Sequence, residues 1–477
     1  MKKYDAIVVG SGPNGFAAAI TMQRQGLSTL LVEGSDSIGG GMRTKELTLP
    51  DFKHDVCSAI HPMAMASPFM RSVPLQQHGL SFEFATYEAA HPLLKGEGAV
   101  LARKLEDTVK ELGVDGAYYQ HLVNQVVTKW DDLAHDMMGP LHFPKNPINL
   151  ATFGLKALQP ASWIANRFKT EKAKALWAGM AAHGIQPLEN LTTSAIALVL
   201  MGVGHRYGWA IPKGGSQSIA NALQNYYLSI GGEIQTDFWL TDRADLPEHK
   251  VLLLDMTPKQ LLEVKNLDLT SSYTRQLSRY KQGMGVFKID WALSEETPFA
   301  DLRARKAATV HLGNTFNEIA LSERLAHQGK IVNNPFVLFT QQSLFDDSRA
   351  PKGKHTGWAY CHVPKGSTFD YSLVIENQIE RFAPGFKDTI LGRHSMSPKQ
   401  LEAYNPNYIG GDINGGLMDV TQLYTRPTRS LTPYRTSNKS VYLCSSATPP
   451  GGGVHGMSGY HAARLSLKDH FQISINL

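Results

Sequence analysis

The sequence predicts an α/β fold in which a parallel sheet carries helices and inserted segments of chain build a second lobe. The short apolar stretch 4–9 is typical of a buried strand, and a glycine-rich turn at 10–15 leads from it into an Ala-rich helical stretch, 16–25. A second apolar stretch, 29–32, has the same strand character. At 477 residues the chain is too long for one ordinary domain, so we expect two or three lobes.

These first elements together form the fingerprint of a dinucleotide-binding βαβ unit. Gly10 permits a tight turn, Gly12 lets backbone N–H groups approach a pyrophosphate, and Gly15 lets the helix pack closely on the strand. The helix N-terminus favours the phosphate charge. We expect Glu33 to accept hydrogen bonds from a ribose diol, and an acid there argues against a 2′-phosphate. The predicted cofactor-binding residues of this unit are Gly10, Ser11, Gly12, Pro13, Asn14, Gly15 and Glu33.

A second glycine cluster, IGGGMRT, follows at 38–44. Its glycines let a cofactor pass close to the backbone, and Arg43 can donate charge-assisted hydrogen bonds to phosphate or to neighbouring carbonyls. The cluster resembles the second signature of FAD enzymes of the amine oxidase and phytoene desaturase group. This resemblance implies FAD as the cofactor, with Gly40, Gly41, Met42 and Arg43 as further binding residues.

A third glycine-rich segment lies near the C-terminus, where a predicted strand, 441–444, is followed by a loop and a predicted helix, 458–469. In phytoene desaturase-like proteins such a loop passes the flavin ring and the helix N-terminus points at it. Many flavoproteins carry Gly-Asp here, where this chain has Ser and Ala, so Ser445 or the backbone would make that contact. The residues implied for the flavin are Ser445, Gly453, Val454, His455, Gly456 and Met457.

The resemblance covers nearly the whole chain. The stretches 211–223, 285–295 and 449–459 resemble the phytoene desaturase-like flavoproteins, on the branch of pyridine nucleotide-disulphide oxidoreductase domain-containing protein 2. It implies a Rossmann-like FAD-binding domain of the amine oxidase/phytoene desaturase type with a discontinuous α+β substrate domain. It also implies that Leu240 contacts the adenine. The predicted FAD-binding domain comprises 1–70, 205–262 and 437–477, and the predicted substrate domain comprises 71–204 and 263–436.

Composition excludes several other classes of protein. The three cysteines lie far apart, which argues against a redox disulphide, and without a metal-spaced Cys/His cluster we expect no metal site. The net charge of +5, without a basic stripe bearing aromatic residues, gives no evidence for nucleic acid. A single dinucleotide fingerprint argues against a separate NAD(P)H domain. We therefore expect electrons to pass to an acceptor such as oxygen or a quinone.

The sequence also bears on location. The N-terminal Met-Lys-Lys precedes the first strand directly, which leaves no room for a leader, so we expect a cytoplasmic protein. The longest apolar stretch, 194–203, is about half of a membrane span and predicts a buried helix. Residues 150–178 combine aromatic and basic side chains, which fits either peripheral membrane contact or a lobe helix with a solvated face. The oligomeric state stays open.

Three hypotheses for function remain open at this level. The first is an FAD enzyme that desaturates or saturates CH–CH bonds of an apolar, isoprenoid-like or lipid-like small molecule, by hydride transfer at flavin N5. The second is amine oxidase-type C–N oxidation, and the third is a non-catalytic, flavin-stabilised carrier of lipid or protein segments. Desaturation also needs a proton acceptor, for which His455 is the leading candidate and His61 the next.

Overall fold

The computed structural model describes residues 2–423 and 425–477. In that part of the chain the strands are β1 (Tyr4–Val9), β2 (Thr29–Val32), β3 (Thr44–Glu46), β4 (Lys53–Asp55), β5 (Phe82–Glu83), β6 (Tyr87–His91), β7 (Ala99–Ala102), β8 (Ile211–Pro212), β9 (Glu233–Gln235), β10 (His249–Leu254), β11 (Gly285–Leu293), β12 (Ala307–Leu312), β13 (Val337–Thr340), β14 (His355–Val363), β15 (Ile390–Met396) and β16 (Val441–Leu443).

The α-helices, in chain order, complete the description of secondary structure. They are α1 (Pro13–Gln23), α2 (Pro62–Ala66), α3 (Pro68–Ser72), α4 (Leu105–Leu112), α5 (Gly116–Met137), α6 (Pro147–Ala157), α7 (Ala161–Ala165), α8 (Glu171–Ala182), α9 (Thr193–Tyr207), α10 (Gln217–Ser229), α11 (Pro258–Glu263), α12 (Ser271–Leu277), α13 (Phe316–His327), α14 (Ser372–Phe382), α15 (Pro398–Tyr404) and α16 (Met457–Phe471).

A five-stranded parallel sheet, in the order β16-β10-β1-β2-β9, forms the first layer. Its central strands are apolar and largely buried, as a sheet covered on both faces requires. Helices α1 and α16 pack together closely: a Cβ at Gly459 would lie 1.8 Å from the carbonyl oxygen of Asn14. This sheet carries the dinucleotide fingerprint at the carboxyl ends of β1 and β2.

A seven-stranded sheet, in the order β15-β11-β14-β13-β12-β6-β7, forms the second layer. Its neighbouring strands are antiparallel except for β12 and β6, which run parallel. The first sheet thus draws its strands from 4–32, 233–254 and 441–443, and the second draws them from 87–102 and 285–396. The exact domain boundaries stay a prediction.

Most predicted elements are present, with shifts at their ends. Strands 4–9 and 29–32 are confirmed, whereas the first helix begins at Pro13 rather than at residue 16, because proline suits the first helical position. The apolar stretch 194–203 lies within the largely buried α9, as predicted. Among the described residues, no helix combines the length and the apolar character needed to cross a bilayer.

Candidate active site

A cavity of about 480 Å³ opens at the carboxyl ends of the parallel strands. One end is lined by the turn after β1, by residues 33–35 after β2, and by Asp255 after β10. The other end is lined by side chains of the second sheet and of α9. Ligands of open α/β sheets bind beyond the carboxyl ends of the strands, so this position favours the predicted cofactor site.

The turn after β1 has the geometry that the fingerprint requires. Gly10 has φ +98°, and a Cβ at Gly15 would lie 1.8 Å from the carbonyl oxygen of Gly10, so the helix can approach the strand only with glycine there. Gly12 precedes the helix, and Asn14 lines the cavity with a buried Oδ1 that has no hydrogen-bond partner among the described residues. The Asn14 Oδ1 can only accept a hydrogen bond, so the fit to a dinucleotide phosphate rests on the free space and on the backbone N–H groups at the start of α1.

Asp255 is a site residue that the sequence analysis missed. Val9 pairs with Leu254, so the next residues, Gly10 and Asp255, lie side by side. The Asp255 Oδ2 accepts a hydrogen bond from the Gly15 N–H at 2.9 Å. Burial, reinforced by the neighbouring Glu33 carboxylate, raises the pKa of Asp255 to about 7. An acid directly after a buried strand was the signal that could have identified it.

Glu33 lines the cavity and organises both glycine clusters. Its Oε2 accepts hydrogen bonds from the N–H of Ser11 at 2.9 Å and from the Ser11 hydroxyl at 2.6 Å. Its Oε1 accepts from the Ser35 N–H at 3.0 Å and from Arg43 at 3.2 Å. Because a carboxylate offers about four acceptor positions, a ribose hydroxyl would replace or share one of these bonds. The ribose contact of Glu33 stays a prediction.

Arg43 donates hydrogen bonds to neighbouring carbonyl oxygens, which is one of the two kinds of contact predicted for this side chain. It donates to the carbonyls of Ser37 and Ile38, and its guanidinium lies 5.6 Å from the ring centre of Tyr404. These bonds hold the IGGGMRT segment folded against Glu33. Gly40 and Gly41 line the cavity beside Arg43, whereas Met42 is buried behind them.

Leu240 lines the cavity from the loop 236–242, and its contact with the adenine stays a prediction. The neighbouring Trp239 lies against Gly34, where a Cβ would come within 2.2 Å of the indole ring. Trp239 is 57% exposed, which is unusual for tryptophan and leaves an apolar face at the mouth of the cavity. The sequence analysis named Leu240 alone and missed this tryptophan.

The C-terminal glycine loop contributes Gly453 and Val454 to the cavity wall, together with Ser446 and Gly452. Ser445 does not reach that wall; it is buried, and its hydroxyl accepts a hydrogen bond from the Ala447 N–H. As far as the described residues define the wall, six predicted residues lie behind it: Gly15, Met42, Ser445, His455, Gly456 and Met457.

The ring of His455 is held on both sides by backbone. Its Nδ1 accepts a hydrogen bond from the Met457 N–H at 3.0 Å, so its Nε2 carries the proton and donates to the Gly451 carbonyl at 3.2 Å. Accepting a proton would break the bond at Nδ1, which satisfies a backbone group at the start of α16. This arrangement argues for a structural role and against the catalytic role predicted for His455.

His61 has the free nitrogen that His455 lacks. Ser216 donates its hydroxyl proton to the Ser58 carbonyl at 2.6 Å, so it must accept at 2.8 Å from the Nε2–H of His61. The Nδ1 of His61 therefore carries a lone pair, and it has no partner among the described residues. Burial lowers the pKa of His61 to about 4, so the ring is neutral at physiological pH.

The half of the cavity that faces the second sheet is apolar and aromatic. Its lining includes Ile60, Met63, Ile185, Ile196, Leu200, Trp209, Leu338, Trp358 and Tyr360, with Thr309 and two histidines, His61 and His183. Among the residues that the structure describes, three carboxylates line the cavity. Glu33 and Asp255 follow strands of the first sheet, and Glu263 ends α11, a helix beside that sheet. The chemistry of the two halves is therefore different: one is polar and the other suits a hydrocarbon.

Comparisons with known proteins agree with this architecture. Residues 5–135 match a family model described as FAD dependent oxidoreductase. The chain is 25% identical to pyridine nucleotide-disulfide oxidoreductase domain-containing protein 2 of Rattus norvegicus, over 98% of this chain and 94% of the relative. It is 20% identical to phytoene desaturase (lycopene-forming) of Pseudescherichia vulneris, over 98% and 99% of the two chains.

A solved structure of putrescine oxidase bound to putrescine has a similar fold, with a TM-score of 0.60 at 14% identity, over 99% of this chain and 100% of that one. The fold class and the cofactor predicted from the sequence are confirmed: the fold is shared with a solved amine oxidase, and FAD is the cofactor that the family model describes.

Proposed function

Because this chain is an FAD-dependent oxidoreductase, we propose that it desaturates or saturates a CH–CH bond of an apolar, isoprenoid-like or lipid-like molecule. The observation that carries the proposal is the apolar half of the cavity, which offers aliphatic and aromatic contacts and no carboxylate among its described lining residues. The similarity to a lycopene-forming phytoene desaturase supports the same substrate class.

Desaturation removes a hydride from one carbon and a proton from its neighbour, and a C=C bond forms between them. Bound FAD supplies the chemistry of accepting the hydride with its two electrons. The residues that would hold it are those of the polar half, from Gly10 and Glu33 to Gly453. What the chain itself must add is a dry apolar pocket, an orientation of the substrate and an acceptor for the proton.

His61 is the proposed proton acceptor. Its Nδ1 lone pair is free, its Nε2–H is anchored on Ser216, and its low pKa keeps the ring in the basic form. In the saturating direction the same nitrogen would return the proton to carbon. In the desaturating direction the two electrons must leave to an external acceptor, for which we propose oxygen or a quinone, and in the saturating direction a separate external reductant must supply them.

An exposed apolar surface supports delivery of the substrate from a membrane, which we propose as a peripheral contact. The surface lies between residues 141 and 163 and includes Leu141, Phe143, Ile148, Leu155, Leu158 and Trp163. Phe143 is 90% exposed and Ile148 is 78% exposed. Residues 137–170 contain no Asp or Glu, and their basic residues are Lys145, Lys156, Arg167 and Lys169. Such a surface is complementary to anionic lipid.

Anaerobic mixing of the FAD-loaded protein with candidate substrates tests the proposed reaction. A polyisoprenoid with saturated positions should bleach the flavin band if the reaction is a desaturation, and an unsaturated one should reoxidise reduced flavin if it is a saturation. Bleaching by amines and not by hydrocarbons would replace the proposal with C–N oxidation. A flavin that turns over with neither, while a lipid co-purifies, would indicate the carrier.

A further inference from the structure

The sequence predicts no metal site, yet the fold brings three possible ligands together at the end of α5. His135 and Asp136 lie in the last turn of that helix, and His142 returns to them from the following loop. One ligand atom from each residue lies within 4.8 Å of the other two. The six-residue gap between the histidines, with only one acid beside them, is not a spacing that identifies a metal site from sequence.

The distances match the coordination of a divalent cation. The Asp136 Oδ1 lies 3.1 Å from the His135 Nδ1 and 3.4 Å from the His142 Nε2. Ligands of a tetrahedral zinc ion, each about 2.1 Å from the metal, are about 3.4 Å apart. Two imidazoles and one carboxylate select zinc or a similar transition metal over magnesium or calcium, which prefer oxygen ligands.

The surrounding backbone presets two of the three ligands. The His142 Nδ1–H donates to the Pro140 carbonyl at 2.9 Å, which leaves the lone pair on Nε2, the atom that lies nearest Asp136. The Asp136 carboxylate is oriented by the Lys145 N–H at 2.9 Å and the Asn146 N–H at 3.0 Å. A cation here would also lie at a helix C-terminus, where positive charge is favoured.

We propose that His135, Asp136 and His142 form a zinc-binding site, with water completing the coordination. The site is open enough for an ion to enter, since the His135 side chain is 50% exposed and that of His142 is 34% exposed. A bound ion would tie the end of α5 to the loop 138–146. That loop carries Leu141 and Phe143, so the ion would also fix part of the exposed apolar surface.

Titration of the FAD-loaded protein with Zn²⁺, followed by calorimetry, tests the proposal. We expect one equivalent to bind and the melting temperature to rise, with no response to Mg²⁺. Co²⁺ should give the visible absorption bands of a tetrahedral site, and Zn²⁺ should abolish them.

Substitution of the proposed ligands tests where the ion binds. His142→Ala and His135→Ala should each weaken zinc binding at least tenfold, and the double variant should lose the Co²⁺ bands. The matched control is His327→Ala, which removes an exposed histidine from the last turn of α13 and should leave binding unchanged. His142→Gln keeps a polar side chain if the alanine variant fails to fold. Retention of the one-equivalent site in the double variant, or no binding by the wild type, would overturn the proposal.

Discussion

The Nε2 of His61 lies 2.8 Å from the hydroxyl of Ser216, although 155 residues separate the two in the chain. Since Ser216 gives its own proton to the Ser58 carbonyl, this single contact determines which nitrogen of His61 carries hydrogen. The contact thereby leaves a free lone pair on the Nδ1 of His61, one of the two histidines in the described lining of the cavity and the one that we propose as the proton acceptor. The catalytic predictions depend on it.

Replacing His61 by glutamine should slow substrate-dependent flavin reduction by 10²- to 10⁴-fold, the usual contribution of a general base. Glutamine can still donate to Ser216, so FAD content should be unchanged. Anaerobic stopped-flow at 450 nm measures the rate per bound flavin. His455→Gln is the comparison, because its ring nitrogens already serve the backbone, and its rate should change by less than about tenfold. A His61→Gln rate within twofold of the wild type would exclude His61 as the base.

The pH dependence of the same step follows from burial. The pKa of His61 lies at about 4, so the ring is in its basic form throughout pH 5–9. The rate should therefore be flat over that range as far as His61 is concerned, and should fall only as pH approaches 4, where the ring becomes protonated. An inflection near pH 6.5 that disappears in His61→Gln would show that the imidazole is not shielded from water.

FAD affinity should depend on Asp255. Its pKa of about 7 means that the carboxyl is neutral below pH 7 and charged above it, beside the expected pyrophosphate. Binding of a dianion favours the protonated carboxyl, so the dissociation constant of FAD should rise with pH above 7, by at most about tenfold per unit for one linked proton. Asp255→Asn should remove this pH dependence. Flavin fluorescence titration at pH 6 and pH 9 measures both effects.

The polar half of the cavity should bind FAD less tightly when Glu33 is replaced. Glu33→Ala deletes hydrogen bonds to Ser11 and Arg43 together with the predicted ribose contact, which should weaken binding by about 1.5–3 kcal/mol. Gly12→Val should be worse, because even a Cβ there would lie 2.9 Å from the Asp255 carboxylate. Glu248→Ala, an exposed acid paired with Lys3, is the control. A full flavin complement in both cavity variants would show that the site is misplaced.

NADH or NADPH alone should reduce the flavin slowly or not at all. The chain has one dinucleotide fingerprint, and FAD is its cofactor. Anaerobic mixing with excess NADPH provides the measurement. Rapid stoichiometric bleaching would establish a nicotinamide site that the sequence analysis missed.

The exposed apolar surface between residues 141 and 163 should bind vesicles that contain anionic lipid and not purely zwitterionic ones. Combined Phe143→Ser and Ile148→Ser substitutions should reduce co-sedimentation severalfold, because they remove the two most exposed apolar side chains of that surface. Leu373→Ser, on α14, removes a side chain that is 64% exposed elsewhere and should have no effect. Equal binding by all variants would remove the proposed membrane contact.

Much of the FAD-binding unit could be predicted because its signals are local. The strand, the turn and the acid at residue 33 lie within a single βαβ unit, and each needs a particular residue type at a short spacing, such as Gly15 where a Cβ would meet the Gly10 carbonyl. The resemblance to a known family extended the prediction to FAD as the cofactor and to the overall fold. It did not extend to the proposed base, since a histidine in a glycine loop has no property in the sequence that separates a helix-stabilising ring from a reactive one.

The sequence by itself determined the strands, the glycine turns and the cofactor class, because periodicity and backbone conformation are properties of neighbouring residues. Only the tertiary structure decided the rest. Parallel pairing of β1 with β10 set Asp255 beside Gly10, the contact with Ser216 selected the tautomer of His61, and the loop after α5 returned His142 to His135 and Asp136. Hydrogen-bond partners, burial and ligand distances depend on chain segments far apart in sequence, and folding alone brings them together.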